Sequence, residues 1–476
     1  MGNSPSSPSP LQTCLNTAFA PGTVAYPGGL LYQLHDVKPF NLEIPVVPAA
    51  VVRPNSTQQV AAAVRCAVAS KIKVQPKSGG HSFGNYGLGG VDGALVVDLQ
   101  NLQKFSMNHD TWFATFGSGT LLGDLTDRLS ANGGRAIAHG TCPQVRLSAA
   151  RHLTIGGLGP LSRQWGTALD HVEEVEVVLA NSTITRASPT QNPDLFFALK
   201  GAAAGFGIIT EFVVHTQAAP TTAAIRYSYN IQSSDHTQMA NTFATWQSII
   251  ADPNLDRKLA SQVTVMPMGM VITGTYFGTQ AEYKALNFES RLAVNATTSI
   301  TVFNDWLGLA ANWGETEALK LLGGIPSAFY AKSMAFTNKT LIPQNTIHDL
   351  FNYIQNTDKG TLLWFVIFDL AGGKTNDISQ DATAYAHRDA LFFVQSYGAG
   401  LISVSSTTKS FLTGINKLIS NGMPNADFGA YAGYVDPALG NAQHQYWGTN
   451  LPRLQRIKTA VDPTDVFHNP QSVVGS

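Results

Sequence analysis

A glycine-dense loop from Pro76 to Gly90 holds the residues of this chain that are best suited to chemistry. It has six glycines in fifteen residues, with His81 and Ser82 near its centre. Glycines cost backbone entropy and pack little, so such a loop usually exists because a ligand must approach the backbone closely. The common case is a phosphate group held by backbone N–H groups. The loop therefore predicts a ligand site, with an ordinary surface loop as the alternative.

The same loop offers a second kind of chemistry. Residues 80–84 fit the G-x-S-x-G pattern of serine hydrolases, in which the serine lies on a sharp turn between a strand and a helix. The sequence that follows this pattern, Asn-Tyr-Gly-Leu-Gly-Gly at 85–90, does not favour the start of a helix. A serine hydrolase using Ser82 is therefore kept as an alternative. Nicotinamide binding is not supported, because Gly117 and Gly119 are followed by Gly123, one residue beyond the G-x-G-x-x-G spacing.

A second cluster of glycines follows a cysteine. Cys142 lies in the sequence Gly-Thr-Cys-Pro, which is typical of a constrained turn, and residues 154–160 read Thr-Ile-Gly-Gly-Leu-Gly-Pro. One glycine loop thus carries His81 and the other follows Cys142. Packing alone does not easily explain this combination.

The composition excludes several classes of protein. The chain has 476 residues, of which 13% are charged, against about 25% in an average soluble chain. Its 30 basic and 31 acidic residues form no block of like charge, so we expect no nucleic-acid partner. The longest strongly apolar run, 362–368, is far shorter than the roughly 18 residues of a membrane span, so we expect no membrane association. We expect a monomer with two or three domains.

The three cysteines bear on the cellular compartment. No C-x-x-C pattern occurs, which argues against a zinc or dithiol redox site. Four glycosylation sequons, at Asn55, Asn181, Asn295 and Asn338, favour secretion, although residues 1–10 have no apolar stretch typical of a signal peptide. We therefore expect either a mature secreted protein or a cytosolic one. Secretion would permit a Cys14–Cys66 disulfide and leave Cys142 available, whereas three buried, inert thiols are the alternative.

The elements that must position these residues follow from the hydrophobic pattern. Residues 1–220 alternate short strands and helices, such as a helix over 57–70 and a strand over 172–179. Residues 221–420 show longer alternating runs, which indicate a large antiparallel sheet covered by helices. Residues 421–476 predict a strand over 429–435 and a helix over 451–460. The fold class is therefore α+β, and we expect the last segment to return to the first domain.

Several of these motifs resemble those of one flavoprotein family. The matching segments lie in both glycine loops, at 168–171 and 200–209, and near the C-terminus at 431–436 and 462–472. With these residues the chain resembles the berberine-bridge-enzyme-like oligosaccharide oxidases, which have the vanillyl-alcohol-oxidase fold. The resemblance spans essentially the whole chain. It implies a two-part FAD-binding domain, residues 1–220 and 421–476, and a substrate domain, residues 221–420.

The resemblance also implies the cofactor and its contacts. In that family FAD is bound covalently by a histidine and a cysteine, which correspond to His81 and Cys142. Val145 matches the small residue that admits oxygen to the flavin. Further residues implied in cofactor binding are Ser78, Gly79, Gly80, Ser82, Gly140, Thr141, His152, Gly156, Gly157, Ile209 and Asn450.

The implied reaction is oxidation of the reducing-end C1 hydroxyl of an oligosaccharide. Tyr434 matches the family's base and Asp369 a carboxylate that orients it, while Phe83 and Gln395 are candidates for substrate contacts. The product would be a lactone that hydrolyses to the aldonic acid, with O2 reduced to H2O2. Alternatives are an oxidase of another alcohol or secondary metabolite, and a flavoprotein that retains only binding. The chain departs from the family at 146–151, which is two residues longer and lacks the usual glycines.

Overall fold

The computed structural model describes residues 8–29, 31–141, 152–220, 223–233, 235–292, 295–316 and 326–476. Cys142, Val145 and the departing segment 146–151 therefore lie outside the described residues. The helices span Pro10–Ala18, Thr57–Ala69, Leu122–Ala131, His152–Ile155, Ser162–Trp165, Pro193–Ala202, His236–Ile250, Gln280–Ala285, Phe288–Leu292, Trp306–Thr316, Gln344–Asn356, Ser406–Gly422, Ala442–Trp447 and Leu451–Val461.

Two sheets form the N-terminal region. The first has the order β1-β2-β4-β3 and consists of β1 (Val24–Ala25), β2 (Ala50–Val52), β3 (Val74–Lys77) and β4 (Leu95–Asp98). The second is antiparallel, with the order β5-β6-β10-β8-β9, and consists of β5 (Phe105–Asn108), β6 (Phe113–Gly117), β8 (Val172–Val178), β9 (Ile184–Ala187) and β10 (Ile208–His215). A small pair joins β7 (Arg135–Ala136) to β11 (Gln217–Ala218).

The first sheet owes its parallel strands to a helical crossover. Strands β2 and β3 both pair parallel to β4, and the helix Thr57–Ala69 connects β2 to β3. Ser56 begins this helix by accepting a hydrogen bond from the Gln59 backbone N–H. The Cys14–Cys66 disulfide links the helix to Pro10–Ala18, which confirms the pairing expected for a secreted chain.

A seven-stranded sheet dominates the middle of the chain. Its order is β15-β12-β14-β13-β17-β18-β16 and every pairing is antiparallel. The strands are β12 (Ala224–Ile231), β13 (Leu259–Met266), β14 (Gly269–Tyr276), β15 (Thr297–Phe303), β16 (Ala328–Thr337), β17 (Trp364–Leu370) and β18 (Ala390–Gly400). The helices His236–Ile250, Gln344–Asn356 and Ser406–Gly422 share one apolar core with one face of the sheet. The expected α+β class with a large antiparallel sheet is thus confirmed.

The C-terminal segment packs on the N-terminal region. Tyr446, Trp447 and Leu454 share an apolar core with residues of the second sheet such as Phe212. The predicted strand over 429–435 is wrong. Only Gly429 forms a bridge, to Ala335, after which the chain turns. The domain boundaries at 220 and 420 stay predictions. In the described part of the chain, we find no helix with the length and apolar character that crossing a membrane requires.

Candidate active site

One cavity lies between the glycine loops and the open face of the seven-stranded sheet, by which we mean the face opposite the helices His236–Ile250, Gln344–Asn356 and Ser406–Gly422. Its volume is about 270 Å³. Six of the residues singled out from the sequence line it together with both catalytic candidates: Gly79, His81, Phe83, Gly140, Thr141, His152, Asp369 and Tyr434. Gln395 lines it as well. The fold thus brings residues from three distant parts of the chain to one space.

The first glycine loop begins where β3 ends and is held at its base. Lys77, the last residue of β3, is buried, and its Nζ donates to the Val37 carbonyl and lies 3.5 Å from Asp98. The hydroxyl of Ser78 donates to the Ser118 carbonyl at 2.8 Å. Gly80 follows with a φ of +73°, which L side chains rarely adopt. These anchors let the loop leave the sheet sharply and bring His81 to the cavity.

Two asparagines join this loop to the substrate sheet. Asn85 accepts hydrogen bonds at Oδ1 from the backbone N–H groups of Phe40 and Asn41, both at 3.1 Å. The amide of Asn41 donates to the carbonyls of Phe83 and Phe329, the latter in β16. The ring of Phe40 consequently lies 4.7 Å from the His81 ring, centroid to centroid.

The second glycine region is built around two neutral histidines. The Nε2 atom of His152 accepts from the Gly140 backbone N–H at 2.9 Å. Burial, and then the nearby His139, lowers the pKa of His152 to about 3. Burial also lowers the pKa of His139, whose ring contacts the Gly140 carbonyl and the Thr126 hydroxyl. His152 therefore stays an uncharged acceptor that fixes the backbone directly before Thr141.

Gly156 and Gly157 pack behind the cavity rather than lining it. The Gly157 N–H donates to the hydroxyl of Tyr431 at 2.9 Å. A Cβ atom at Gly157 would lie 2.4 Å from the Ala168 side chain, and the φ of +78° excludes most other residues. This glycine therefore allows the second loop to contact the C-terminal segment.

Tyr434 and Asp369 form the chemically suggestive pair of the cavity. The Tyr434 hydroxyl donates to Asp369 Oδ2 at 3.4 Å, although 65 residues separate them in the chain. Asp369 lies near the end of β17, between Gln262 of β13 and Phe393 of β18. A phenol next to a carboxylate can take a proton from a substrate while passing its own to the carboxylate.

The turn that carries Tyr434 is fixed by the sheet's edge strand β16. The Tyr434 N–H donates to the Tyr431 carbonyl, which closes the turn. In addition, Lys332 of β16 forms a buried ion pair of 2.5 Å with Asp436. Burial raises the pKa of Asp436, and the adjacent Lys332 opposes that shift. The Tyr-x-x-Tyr-x-Asp motif thus forms a turn held from two sides, which explains why it is not a strand.

The remaining predicted residues occupy other places. Ile209 is buried in β10, and its carbonyl accepts from the Ser118 hydroxyl. Asn450 does not line the cavity; its amide donates to the carbonyls of Gln380 and Thr383. The hydroxyl of Ser82 is buried and accepts from the Tyr86 N–H. A short 3₁₀ helix, Tyr86–Leu88, is the nearest helical segment after it, which does not support the hydrolase alternative.

Sequence reasoning missed several cavity residues. Tyr397 lines the cavity two positions after Gln395, where the period of a strand places residues on the same face, so alternation could have found it. Phe40 and Lys332 carried no sequence signal, because they reach the site only through contacts between distant segments.

The residues present fit a bound FAD. Within the described ranges, the backbone N–H groups of Gly79, Gly80 and Ser82 have no protein acceptor, so they are available to an anionic ligand such as a diphosphate. Gly140 leaves little room for a side chain, since a Cβ atom would lie 3.0 Å from the His152 ring and 3.3 Å from the Leu158 carbonyl.

Comparisons with known proteins identify the family of this chain. Residues 48–188 match the family described as FAD binding domain, and residues 430–474 match the family described as berberine and berberine like. The chain is 43% identical to the FAD-linked oxidoreductase sorD of Penicillium rubens, over 97% of this chain and 98% of that one. It is 32% identical to the xylooligosaccharide oxidase of Thermothelomyces thermophilus, over 92% of this chain and 89% of that one.

Solved structures show the same fold. The xylooligosaccharide oxidase from Myceliophthora thermophila in complex with xylobiose superposes with a TM-score of 0.89 at 30% identity, covering 98% of this chain and 100% of that one. The glucooligosaccharide oxidase from Acremonium strictum, described with a 6-S-cysteinyl, 8α-N1-histidyl FAD, superposes with a TM-score of 0.84 at 30% identity, covering 92% and 94%. The chain belongs to the berberine-bridge-enzyme-like family of FAD-dependent oxidoreductases and has the vanillyl-alcohol-oxidase fold.

Proposed function

We propose that this protein is an FAD-dependent oxidase that converts the reducing-end C1 hydroxyl of an oligosaccharide to a lactone and reduces O2 to H2O2. The observation that carries the proposal is the pair formed by Tyr434 and Asp369, in the same cavity as His81. The lactone would then hydrolyse to the aldonic acid. The relatives named as oligosaccharide oxidases support the choice of substrate.

His81 and Cys142 are the residues that would hold FAD covalently, and Val145 matches in sequence the small residue that admits oxygen to the flavin in the family. His81 lines the cavity, and Cys142 directly follows Thr141, which also lines it. When bound, FAD supplies the acceptor for the two electrons that leave the substrate carbon and passes them to O2.

The protein's part of the reaction is to move the proton. A free tyrosine has a pKa of about 10, so it is a poor acceptor near neutral pH unless its own proton leaves at the same time. Asp369 can accept the proton that leaves Tyr434, because the Tyr434 hydroxyl already donates to it. The 3.4 Å distance is long for an O–H···O bond, and such bonds often tighten only when substrate is present. Tyr434 is therefore the base and Asp369 the group that receives its proton.

Cofactor attachment is tested first by a visible spectrum before and after acid precipitation, with the intact mass of the protein. We expect the yellow colour to stay in the pellet and the mass to exceed that of the chain by one FAD. His81→Ala and Cys142→Ala should each retain flavin through the other bond, and the double variant should release it. Release from either single variant would contradict attachment by both residues.

Activity is tested by peroxide release with reducing gluco-, cello-, xylo- and chito-oligosaccharides. A second candidate is oxidation of another alcohol by the same residues, because the relative at 43% identity is described only as an FAD-linked oxidoreductase. Oxidation of a non-sugar alcohol without any response to reducing sugars would select this second candidate. A fluorophosphonate probe that labels Ser82 would instead support the hydrolase.

We include secretion in the proposal. The Cys14–Cys66 disulfide is typical of an oxidising compartment. The asparagines of all four sequons, Asn55, Asn181, Asn295 and Asn338, are exposed. Glycosidase treatment of protein secreted from a fungal host should lower its mass, and an unchanged mass would remove the support from glycosylation.

A further inference from the structure

The open face of the seven-stranded sheet changes character along β17 and β18, two neighbouring strands near one edge of the sheet. Asp369 of β17 lies beside Phe393 of β18, and two residues further on Ile367 lies beside Gln395. The next pair on this face is Phe365 with Tyr397, and beyond it the Ala399 N–H donates to the Leu363 carbonyl. Each step of two residues covers about 7 Å. The face therefore passes from acidic to polar to aromatic to aliphatic over about 20 Å.

The third step belongs to a larger cluster that we call the aromatic wall. It consists of Phe40, Phe83, Phe329, Phe365 and Tyr397. Tyr397 stacks on Phe365 with centroids 5.0 Å apart and on Phe329 at 4.6 Å. Phe83 meets Phe329 edge to face at 5.2 Å. Three members, Phe40, Phe83 and Tyr397, line the cavity, so the wall presents rings to whatever occupies it.

The wall offers few partners for sugar hydroxyls. In the row of Phe365 and Tyr397, Ala331 of β16 lies beside Tyr397, and Met266 of β13 packs against the same cluster. Among the described side chains of this row, the polar group is the hydroxyl of Tyr397. A sugar unit placed here would bury several hydroxyls without hydrogen bonds, which is unfavourable.

Beyond the wall, the same end of the sheet exposes a second apolar group, which we call the apolar rim. Leu362 is 86% exposed, Leu401 96% and Ile402 90%, and Leu363 and Met268 are also exposed. Exposed apolar side chains that cluster next to a cavity commonly mark a binding surface. The rim therefore extends the apolar character of the wall to the protein surface.

Gln395 stands between the catalytic pair and the wall. Its side chain is 2% exposed and lines the cavity, and within the described residues its Nε2 atom has no hydrogen-bond partner. A buried amide without a partner is unfavourable, so this atom points to a ligand that supplies an oxygen acceptor.

We propose that the substrate is a hydroxylated compound with a planar or extended hydrocarbon part. Its oxidised hydroxyl lies at Tyr434, an oxygen accepts from Gln395, and the hydrocarbon part lies along the aromatic wall towards the apolar rim. This inference rests on the flavin-dependent oxidation proposed at Tyr434, and within that proposal it selects the second candidate, oxidation of another alcohol, in place of an oligosaccharide. In the reaction the CH–OH carbon loses a hydride to FAD and its hydroxyl loses a proton to Tyr434, which leaves a carbonyl, and O2 is reduced to H2O2.

The test compares cinnamyl alcohol with cellobiose on the flavin-loaded protein. Binding is measured by titration calorimetry without oxygen, and oxidation by peroxide release. We expect cinnamyl alcohol to bind at least about tenfold more tightly than cellobiose, because only its ring gains contact with the wall. Phe83→Ala should weaken cinnamyl alcohol about tenfold and leave cellobiose within twofold, while Phe83→Leu should restore most of the loss.

A rim variant and a matched control complete the design. Leu401→Ser should weaken binding of a longer probe, 3-phenylpropyl alcohol extended by a butyl chain, more than binding of cinnamyl alcohol. Val302→Ser makes the same type of change at an exposed position on β15, at the other edge of the sheet, and should change neither.

The outcomes separate this inference from the proposed function. Tighter binding of cellobiose, or an equal loss for both probes in Phe83→Ala, would overturn the inference even if sugars are oxidised. Tight, Phe83-dependent binding of cinnamyl alcohol without any flavin reduction would overturn the proposed oxidation at Tyr434 instead.

Discussion

The two faces of the seven-stranded sheet are formed by the same strands but have different roles: one packs against helices and the other borders the cavity. Towards the helices, Val263, Phe368 and Val394 form one row, and all three are almost completely buried in the largest apolar core. One residue along each strand, Gln262, Asp369 and Phe393 form a row on the face that borders the cavity. Because strand side chains alternate, each residue of the site has neighbours in the core.

The difference shows how the molecule separates stability from chemistry. The helix-covered face contains large apolar side chains that contribute by burial. The open face holds groups that burial alone would disfavour, such as the Gln395 amide and the Asp369 carboxylate. Rigid packing on one side fixes the backbone, so the other side can present these groups in a defined arrangement.

The largest effect is expected for Tyr434→Phe, which removes the base from the open face. Flavin reduction by substrate should slow about 10²- to 10⁴-fold, because the proton loses its acceptor, while the thermal midpoint should change little. Stopped-flow absorbance without oxygen and thermal unfolding measure the two effects. Tyr330→Phe, a half-buried residue on β16, is the control and should react normally. A near-normal rate for Tyr434→Phe would remove it from the mechanism.

Phe368→Ala tests the helix-covered face next to the catalytic carboxylate. Phe368 is fully buried, with Phe243 at 4.4 Å between centroids, so the cavity left behind should cost about 3–5 kcal/mol. We expect a thermal midpoint lower by several degrees and, below that temperature, a flavin reduction rate within twofold of normal. A flavin reduction rate more than twofold below normal, measured below the thermal midpoint of the variant, would show that the two faces are not separable.

Lys332→Met tests the ion pair between the edge strand β16 and the turn that carries Tyr434. The variant leaves Asp436 buried without its partner, which should cost about 3 kcal/mol at neutral pH. Burial already raises the pKa of Asp436, and loss of Lys332 raises it further, so the folded protein holds that proton more strongly than the unfolded chain.

The stability of Lys332→Met should depend on pH in a defined direction. The protonated Asp436 carboxyl stabilises the folded variant relative to the unfolded chain at low pH, and this contribution is lost as pH rises through the raised pKa. The thermal midpoint of Lys332→Met should therefore fall further below that of the unmodified protein at pH 7 than at pH 4. Lys332→Arg should preserve most of the stability. An equal deficit at both pH values would show that the ion pair is not what the variant disrupts.

The smallest effect is expected for Thr273→Val, a change of nearly equal volume on the open face. Thr273 lines the cavity beside Gln262. The loss of one hydroxyl should change kcat/KM for cellobiose by less than about fivefold and the thermal midpoint by about one degree at most. Thr301→Val, on β15, is the control. A tenfold or larger loss for cellobiose alone would place the sugar on this polar side and weaken the case for the aromatic wall.

Much of the fold could be predicted because its signals are local. The alternation in β12 and β14 and the apolar helix face of Thr57–Ala69 depend only on residues close in sequence. The turn at Tyr434 was not predictable in this way. Its apolar and aromatic residues resemble a strand, and only contacts with β16, about a hundred residues earlier, make it a turn.

The site was predictable in its residue types more than in its arrangement. Glycines around His81 indicated close approach of a ligand, since few other roles explain so many. The meeting of Tyr434 with Asp369 depends instead on strand order in the large sheet, which hydrophobic periodicity does not determine. Phe40 reaches His81 only through the hydrogen bonds of Asn85, for which the sequence offered no sign.

The segment that carries Tyr434 also contacts the outer edge of β16, the last strand of its sheet, where Gly429 pairs with Ala335 and the Tyr431 N–H donates to the Ser333 hydroxyl. An uncovered edge strand presents unpaired backbone groups on which a second chain can assemble. A chain that ends before Gly429 would therefore lose its base and expose an aggregation-prone edge at once. Incomplete chains would thus precipitate or be degraded, and would not persist as soluble protein that binds flavin without oxidising anything.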